Sequence, residues 1–389
     1  MNLGVVFDAG VGCGIDVSKE LMITDLSVVE DRQRTGPGDP WSFGQLMTQM
    51  AGTGDPADFT ENLFKRWLTP QVVNGFTVAA RPGMQTLVLN GWPRVNGKLD
   101  LTRAPLRLLA ISARLDLRQL SAGNAGEGRF VFGVTTSSGL SLPFTIILEY
   151  KLPAKTPAQL TQWASNWHAL GALPVPSETY NATLQVITDR FAAANVKPSR
   201  PNGSAIGQIR TNENALSPLW ELRQFQIDAT GQLVQAPLNQ NPDRSFNNTA
   251  TFANWVNRNE AALLTGAATV PLNFQQAPFR APATLNTIDF WAASGITNNE
   301  ARHQASLNSC NGCHGRETGT LFLHINPRAS GQPSALSGFL TGVGVIDPVS
   351  GTLRRFADLD RRAADLASLV CPTGLPDAAL LESTAARGH

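Results

Sequence analysis

Charged residues are scarce in this chain, and the charges that are present nearly balance. Lysine, arginine, aspartate and glutamate make up 16% of the 389 residues, whereas average soluble proteins carry roughly 25%. The formal net charge is +1, and acidic and basic residues are interspersed without forming a basic stripe. This pattern argues against nucleic acid as a partner.

Long apolar runs are also absent. No stretch reaches the roughly 18 apolar residues that a membrane-spanning helix requires, so the sequence predicts no transmembrane segment. The first seven residues are followed by Asp8, and no basic flank precedes an apolar core as it does in a signal peptide. Low charge, abundant Asn and Thr and few Lys are typical of extracytoplasmic bacterial proteins. We therefore expect a periplasmic or secreted protein, in a mature or trimmed form without its signal peptide.

Cysteine is the third scarce residue type, with four copies in the chain. Cys310 and Cys313 form a C-x-x-C pair, and if a cofactor uses them, Cys13 and Cys371 remain as an even couple. A disulfide between these two would close a loop of almost the whole chain, stabilise the fold by roughly 4–5 kcal/mol and require an oxidising compartment. Two unrelated buried thiols are the alternative.

Hydrophobic spacing predicts helices first and strands afterwards. The stretches DPWSFGQLMTQMAG and DPADFTENLFKRWLTP repeat apolar residues at helical spacing, with Asp39 as a candidate cap of the first and Pro70 ending the second. From about residue 84 to 235, short β-branched and apolar runs predict strands: MQTLVLNGW, PLRLLAISARLDLR, GRFVFGVTT, LPFTIILEYKL, SAIGQIRTNE and WELRQFQIDATGQLVQAPL. Two helices interrupt these runs without a regular alternation, so the sequence predicts an α+β fold with an antiparallel sheet.

The chain divides, on composition, into a large body and a smaller C-terminal module. Residues 235–285 are rich in Asn and Pro, which predicts an extended connecting segment around one helix. We therefore predict a mixed α+β body over residues 1–285 and a mainly helical module over residues 286–389. In that module, TNNEARHQASLNSC predicts a helix capped by Thr297 or Asn298, and residues 353–370 predict a second, amphipathic helix.

The module contains the one stretch with strongly suggestive chemistry, CNGCHG, which begins at Cys310. Cys310, Cys313 and His314 match the C-x-x-C-H pattern of covalent c-type haem attachment. The spacing has a chemical reason: two thiols add to the two vinyl groups on one edge of the porphyrin, and the adjacent histidine binds the iron.

With a helix leading into the motif and a helix following it, residues 287–371 resemble a class I-like cytochrome c domain. This resemblance implies that Cys310 and Cys313 are the thioether anchors and that His314 is the proximal iron ligand. Such domains often supply a distal methionine, whereas this chain has no methionine after Met84. The segment also resembles one found in exported bacterial proteins without an established activity, so the resemblance implies no mechanism.

The sequence indicates less clearly which residue is the second axial ligand of the iron and which residues pair with the haem carboxylates. His324, which follows an apolar triplet, is the natural substitute for methionine, and His303 and an open site are the alternatives. Arg328 is the candidate for pairing with the haem propionates because it lies near the motif. Other arginines could meet propionates or pair with local acids such as Asp116, and those are Arg103, Arg107, Arg114 and Arg118. Arg210 at a strand end could serve either a site or the fold.

Two other interpretations of the motif remain open. Zinc prefers four Cys and His ligands, which Cys310, Cys313, His314 and His324 could supply, although adjacent Cys313 and His314 rarely point at one ion. The second is a dithiol–disulfide site. In such a site the C-x-x-C motif usually follows a strand and lies at the start of a helix, whereas here the motif is predicted at the end of a helix.

The predicted function is that of an exported single-haem redox protein, acting in electron transfer or as a haem-dependent oxidoreductase. Its partner would be a redox protein or a small-molecule oxidant or reductant. The alternative is a secreted binding or scaffold protein in which CNGCH is a structural disulfide or zinc staple, because carrying electrons does not need so large a body.

Overall fold

A computed structural model describes residues 14–286 and 290–371, and an antiparallel sheet runs through its centre. The helices are α1 (Val17–Glu20), α2 (Leu26–Val29), α3 (Phe43–Ala51), α4 (Pro56–Lys65), α5 (Gly83–Leu87), α6 (Pro157–His168), α7 (Glu178–Ala192), α8 (Ala250–Arg258), α9 (Glu260–Leu264), α10 (Asn299–Asn308), α11 (Cys310–Cys313), α12 (Gly338–Thr341) and α13 (Asp358–Val370). The strands are β1 (Met22–Ile23), β2 (Gln71–Val73), β3 (Phe76–Val78), β4 (Arg94–Val95), β5 (Lys98–Leu99), β6 (Leu106–Arg114), β7 (Asn124–Thr135), β8 (Ser141–Pro153), β9 (Ile206–Glu213), β10 (Trp220–Ile227), β11 (Leu233–Ala236), β12 (Asn273–Phe274), β13 (Ala277–Pro278), β14 (Ala283–Asn286), β15 (Val343–Ile346) and β16 (Leu353–Phe356).

The main sheet has the order β1-β6-β7-β8-β9-β10-β11, with every neighbouring pair antiparallel. Strand β10 pairs with β11 along its second half and with β14 along its first half. The predicted hairpin between β7 and β8 and the predicted hairpin between β10 and β11 are both present. The α+β fold class predicted from the sequence is confirmed.

The two faces of the sheet differ in chemistry because side chains alternate along each strand. One face, which we call the helix-packed face, carries Phe130, Leu148 and Ile209 into the largest hydrophobic cluster together with helices α3, α4, α6 and α7. The opposite face carries Arg129 and Arg210 beside apolar side chains, and these arginines are also buried. We call it the covered face.

The covered face is buried because residues 290–371, which we call the C-terminal segment, lie over it. Apolar side chains of both parts share one cluster, which contains Leu109 and Val131 of the sheet with Leu307, Phe339 and Leu359 of the segment. Helix α13 also packs against α6, and its Leu366 and Leu369 belong to the cluster on the helix-packed face. Strand β14 spans the predicted boundary at residue 285, and that boundary stays a prediction.

Three local predictions were wrong. The run MQTLVLNGW forms α5 and a short 3₁₀ turn at Leu89–Gly91 rather than a strand, because strand propensity is weak and packing of Val88 and Leu89 in the core decides the outcome. Residues 353–356 form β16, paired with β15, so the last helix begins at Asp358. The cap of α3 is Ser42, whose Oγ accepts from the backbone N–H of Gln45 at 3.3 Å.

Of the remaining local predictions, one is confirmed and one lies outside the described residues. Asn298 caps α10 as expected, accepting hydrogen bonds from the backbone N–H groups of Glu300 and Ala301. Cys13 lies outside the described residues, so its pairing with Cys371 stays a prediction. Among residues 14–286 and 290–371, no helix combines the length and the apolar character needed to span a membrane.

Candidate functional site

The C-x-x-C pair occupies a single helical turn, α11, directly after helix α10. Ser309 adopts an extended conformation between them, and its Oγ accepts from the N–H of Gly312 at 3.2 Å while donating to the Ser306 carbonyl at 2.8 Å. The N–H of Cys310 donates to Oδ1 of Asn241 at 2.8 Å, which ties the turn to the body of the protein. A β-carbon on Gly312 would lie 2.1 Å from the Ser306 carbonyl oxygen, so this position requires glycine.

Both thiols of the pair are buried, on two sides of the turn. Cys310 is 1% exposed and belongs to a cluster with Trp220 and Leu222, whereas Cys313 is 0% exposed and packs with Val131 and Phe339. Burial raises the pKa of the Cys310 thiol to about 11. Within the described part of the chain, Cys310 and Cys313 do not form a disulfide with each other.

His314 is buried directly after the turn, in a defined tautomeric state. Its Nδ1 lies 2.6 Å from the carbonyl oxygen of Phe322, and because a carbonyl can only accept, Nδ1 carries the proton and Nε2 carries the lone pair. Burial lowers the pKa of His314 to about 4, so the ring is neutral at physiological pH. The ring stacks on Trp220 with the centroids 5.1 Å apart. A neutral imidazole whose second nitrogen donates to a carbonyl is the form that binds metals.

His324 lies beside His314, with 4.3 Å between the ring centroids. Its Nδ1 is 2.8 Å from Oγ of Ser337, and its Nε2 is 3.4 Å from Sγ of Cys313. Burial and the neighbouring His314 lower the pKa of His324 well below its ordinary value. Between the two histidines, Phe322 adopts a φ of 67°, a left-handed conformation that is rare for a bulky residue and often marks functional sites.

A cavity opens next to the two histidines, between the covered face of the sheet and the C-terminal segment. The space between atoms there is about 660 Å³, a volume that includes open solvent. The sheet contributes apolar and charged side chains, and the segment contributes both histidines. The residues that line it include Arg114, Arg129, Glu149, Arg210, Asn212, Leu222, His314, His324, Phe339 and Arg362.

The other predicted site residues lie elsewhere. Arg328 forms an ion pair with Glu30 and donates from Nη2 to the Leu108 carbonyl at 3.0 Å, and it does not line this cavity. His303 pairs with Glu317 and lines a different cavity. Of the arginines considered for the propionates, Arg114 lines the cavity, and so does Arg210, which the sequence left open as a residue of a site or of the fold.

Sequence reasoning missed Arg129 and Arg362. The signal for Arg129 was available in GRFVFGV, where alternation sends Phe130 and Phe132 to one face of the strand and Arg129 with Val131 to the other. That Arg362 of α13 meets these strand residues depends on how the segment packs, which the sequence pattern does not indicate.

A zinc site at the motif finds no support in the placement of the side chains. Among the described residues, potential ligand atoms of His303, Glu317 and Asp347 lie within 4.8 Å of one another. The ligand atoms of Cys310, Cys313, His314 and His324 do not come together at this distance. The first group is already neutralised, since Arg302 contacts both of its carboxylates and Arg354 contacts Asp347.

Comparison of this chain with protein-family models, with curated proteins and with solved structures finds no match.

Proposed function

We propose that this chain is a single-haem c-type redox protein, in which Cys310 and Cys313 attach the haem and His314 binds its iron. The observation that carries the proposal is the hydrogen bond from Nδ1 of His314 to the Phe322 carbonyl, next to a helical turn that holds both thiols. This hydrogen bond fixes the tautomer in which Nε2 carries the lone pair, on a neutral, buried ring beside a cavity.

Part of the cavity lining suits such a group, although neither Cys310 nor Cys313 belongs to that lining. Leu222, Ile147 and Phe339 provide apolar contact surface, and Arg114 and Arg210 provide cations for acidic groups. Bound there, haem would supply a one-electron redox centre or a coordination site for a small molecule.

The position of His324 separates the two redox roles. With 4.3 Å between the ring centroids of His314 and His324, the rings are in contact, so His324 could serve as the opposite ligand only after moving away from His314. A ligand pair of two histidines suits electron transfer, whereas an open position allows chemistry on a bound molecule. His303 is less suited than His324, since it lies in the Glu317 ion-pair network and lines another cavity.

The proposal is tested with the full chain made in a host that matures c-type haem. We expect absorption by haem that survives acid–acetone extraction and denaturing electrophoresis. The double variant C310S/C313S should lose this covalent haem, and H314A should lose iron ligation, whereas the matched variant H303A should keep both. A colourless wild-type protein, or one with stoichiometric zinc, would contradict the proposal and favour the scaffold or staple function.

The spin state of the iron then decides between the two roles. If His324 is the second ligand, the wild type is low-spin, and H324A becomes high-spin and binds carbon monoxide readily after reduction. If the wild type is already high-spin and binds carbon monoxide, or if H324A leaves the spectrum unchanged, His324 is not the ligand. A high-spin wild type would place a haem-dependent oxidoreductase ahead of an electron carrier.

A further inference from the structure

The covered face of the sheet holds an unusual concentration of buried positive charge. Strands β6, β7 and β9 each send one arginine toward the cavity, and helix α13 sends a fourth from the opposite side. These arginines are Arg114, Arg129, Arg210 and Arg362, and each is at least 90% buried. Buried charges are costly unless they are paired and hydrogen-bonded, so their partners decide what the cavity can bind.

The acidic partners within this network are fewer than the cations. Arg114 pairs with Asp116, Arg129 with Glu127, and Arg362 with Asp358, while Arg361 bridges Asp116 and Asp358 and Lys151 contacts Glu127. Glu149 lies 3.4 Å from Arg129 and 3.6 Å from Arg210. Among the described residues this network has six cations and four carboxylates, but Lys151 and Arg361 are 33% and 31% exposed, so the four buried arginines face four acids. The cations are Arg114, Arg129, Lys151, Arg210, Arg361 and Arg362, and the acids are Asp116, Glu127, Glu149 and Asp358.

Three of these arginines also have buried donors without an acceptor in the described part of the chain. They are Nη1 of Arg114, Nε of Arg362 and Nε of Arg210, the last of which lies 3.6 Å from Glu149, beyond hydrogen-bonding distance. The side chains of Arg114, Arg210 and Arg362 are 1%, 5% and 4% exposed. Buried donors are paired in nearly all native structures, and each exception calls for a partner that is not yet accounted for. All three residues line the cavity beside His314 and His324.

We propose that this cavity is a binding site for an anionic ligand, held by Arg114, Arg210 and Arg362. The ligand has acidic groups at the arginines and an apolar part, since Leu222, Ile147 and Phe339 line the remaining wall. Burial, and after it the neighbouring Arg114, lower the pKa of Arg362 to about 10.

The anionic groups can come from two sources with the same chemistry. One is the pair of carboxylates of the haem, and this source rests on the proposed function. The other is a free dicarboxylate or divalent oxyanion, which does not require haem. In both cases the guanidinium group of an arginine can donate two parallel hydrogen bonds to a planar carboxylate or a tetrahedral oxyanion.

The first test uses thermal unfolding of the full-length C310S/C313S variant, which carries no covalent haem. Succinate, sulfate and inorganic phosphate are compared with chloride at equal ionic strength. We expect the divalent probes to raise the unfolding temperature in a saturating manner and chloride not to do so. The variant R210Q should lose this response and, because it removes a buried donor that lacks an acceptor, should unfold at a higher temperature than its parent without any probe. The matched variant R355Q, at an exposed position of β16, should change neither property.

The second test distinguishes the sources in the haem-loaded wild type. If the haem carboxylates fill the site, the probes stabilise the haem-free variant but not the loaded protein, and R210Q, unlike R355Q, lowers the midpoint potential of the iron. If a free anion fills it, the probes stabilise both forms. The proposal is wrong if the probes act no better than chloride on either form and R210Q changes neither the unfolding temperature nor the potential. If no haem attaches to the wild type, the proposed function is wrong. The response of the unfolding temperature to the anionic probes then still shows whether the cavity binds an anion.

Discussion

The substitution Glu317→Gln tests whether a buried ion pair within the C-terminal segment stabilises the fold by joining the chain before the C-x-x-C turn to the chain after it. Glu317 is 0% exposed, and its two oxygens accept from Nη1 and Nη2 of Arg302 at 2.7 and 2.9 Å. Its Oε1 also contacts Nδ1 of His303. Arg302 sits on α10, so this pair connects the helix that precedes the motif with the chain that follows it.

The magnitude follows from what glutamine keeps and what it loses. Removing one partner of a buried pair costs about 3–5 kcal/mol because the remaining charge is left uncompensated. Glutamine keeps the size of the side chain and one acceptor, and Asp347 still lies 3.0 Å from Nη2 of Arg302. We therefore expect a loss at the lower end, about 3 kcal/mol in the free energy of unfolding.

Urea unfolding followed by tryptophan fluorescence measures this loss, with Glu300→Gln as the matched control. Glu300 pairs with Arg354 near the surface, where its side chain is 44% exposed, and such a pair contributes at most about 1 kcal/mol. Equal losses in the two variants would refute the reasoning.

The dependence on pH provides a second check. Burial alone would raise the pKa of Glu317, but the contacts with His303 and Arg302 outweigh it and leave the pKa below its ordinary value of 4.5. The carboxylate therefore stabilises the folded state above about pH 4.5, and this contribution is lost as the pH falls and the group is protonated. The difference between wild type and E317Q should narrow below that pH. A constant difference would show that the loss does not come from the charge.

Two further variants follow from local geometry. Gly312→Ala should lower the free energy of unfolding by at least about 2 kcal/mol, because the new β-carbon meets the Ser306 carbonyl at 2.1 Å, while Gly14→Ala, with no atom within 4 Å, should be neutral in the same urea titration. Burial raises the pKa of Glu213 to about 7 despite its contact with Arg81, so stability should fall as the pH rises from about 4.5 to 7, by up to about 3 kcal/mol. Glu213→Gln should flatten this slope, and an unchanged slope in unfolding measured between pH 4.5 and 8 would contradict the assignment.

The sequence predicts the parts of this protein that depend on neighbours in the chain. Alternation in GRFVFGV and LPFTIILEYKL indicates paired strands, because each side chain's face follows from its position in the strand. The cap at Asn298 is likewise a local matter, since its Oδ1 accepts from N–H groups two and three residues later. The C-x-x-C-H spacing identifies the candidate site for the same reason.

What escapes the sequence depends on contacts between distant residues. Arg328 is close to the motif in sequence but pairs with Glu30, 298 residues away, whereas Arg210 is distant in sequence and lines the cavity. The covered face shows the same limit. Its arginines and acids have the pattern of a solvated sheet face, and they are buried because the C-terminal segment lies over them.

The burial of both cysteines constrains the order of events by which the protein is made. With Cys310 and Cys313 at 1% and 0% exposure, an enzyme that joins haem to the thiols could not reach them in the finished fold. If haem is attached, attachment would have to occur while residues 290–371 are still away from the sheet. These residues are synthesised after every strand from β1 to β14, so the sheet can form first and present its arginines to an incoming acidic group. Closure of the segment would then be the last step of maturation, and its rate would set the time available for attachment.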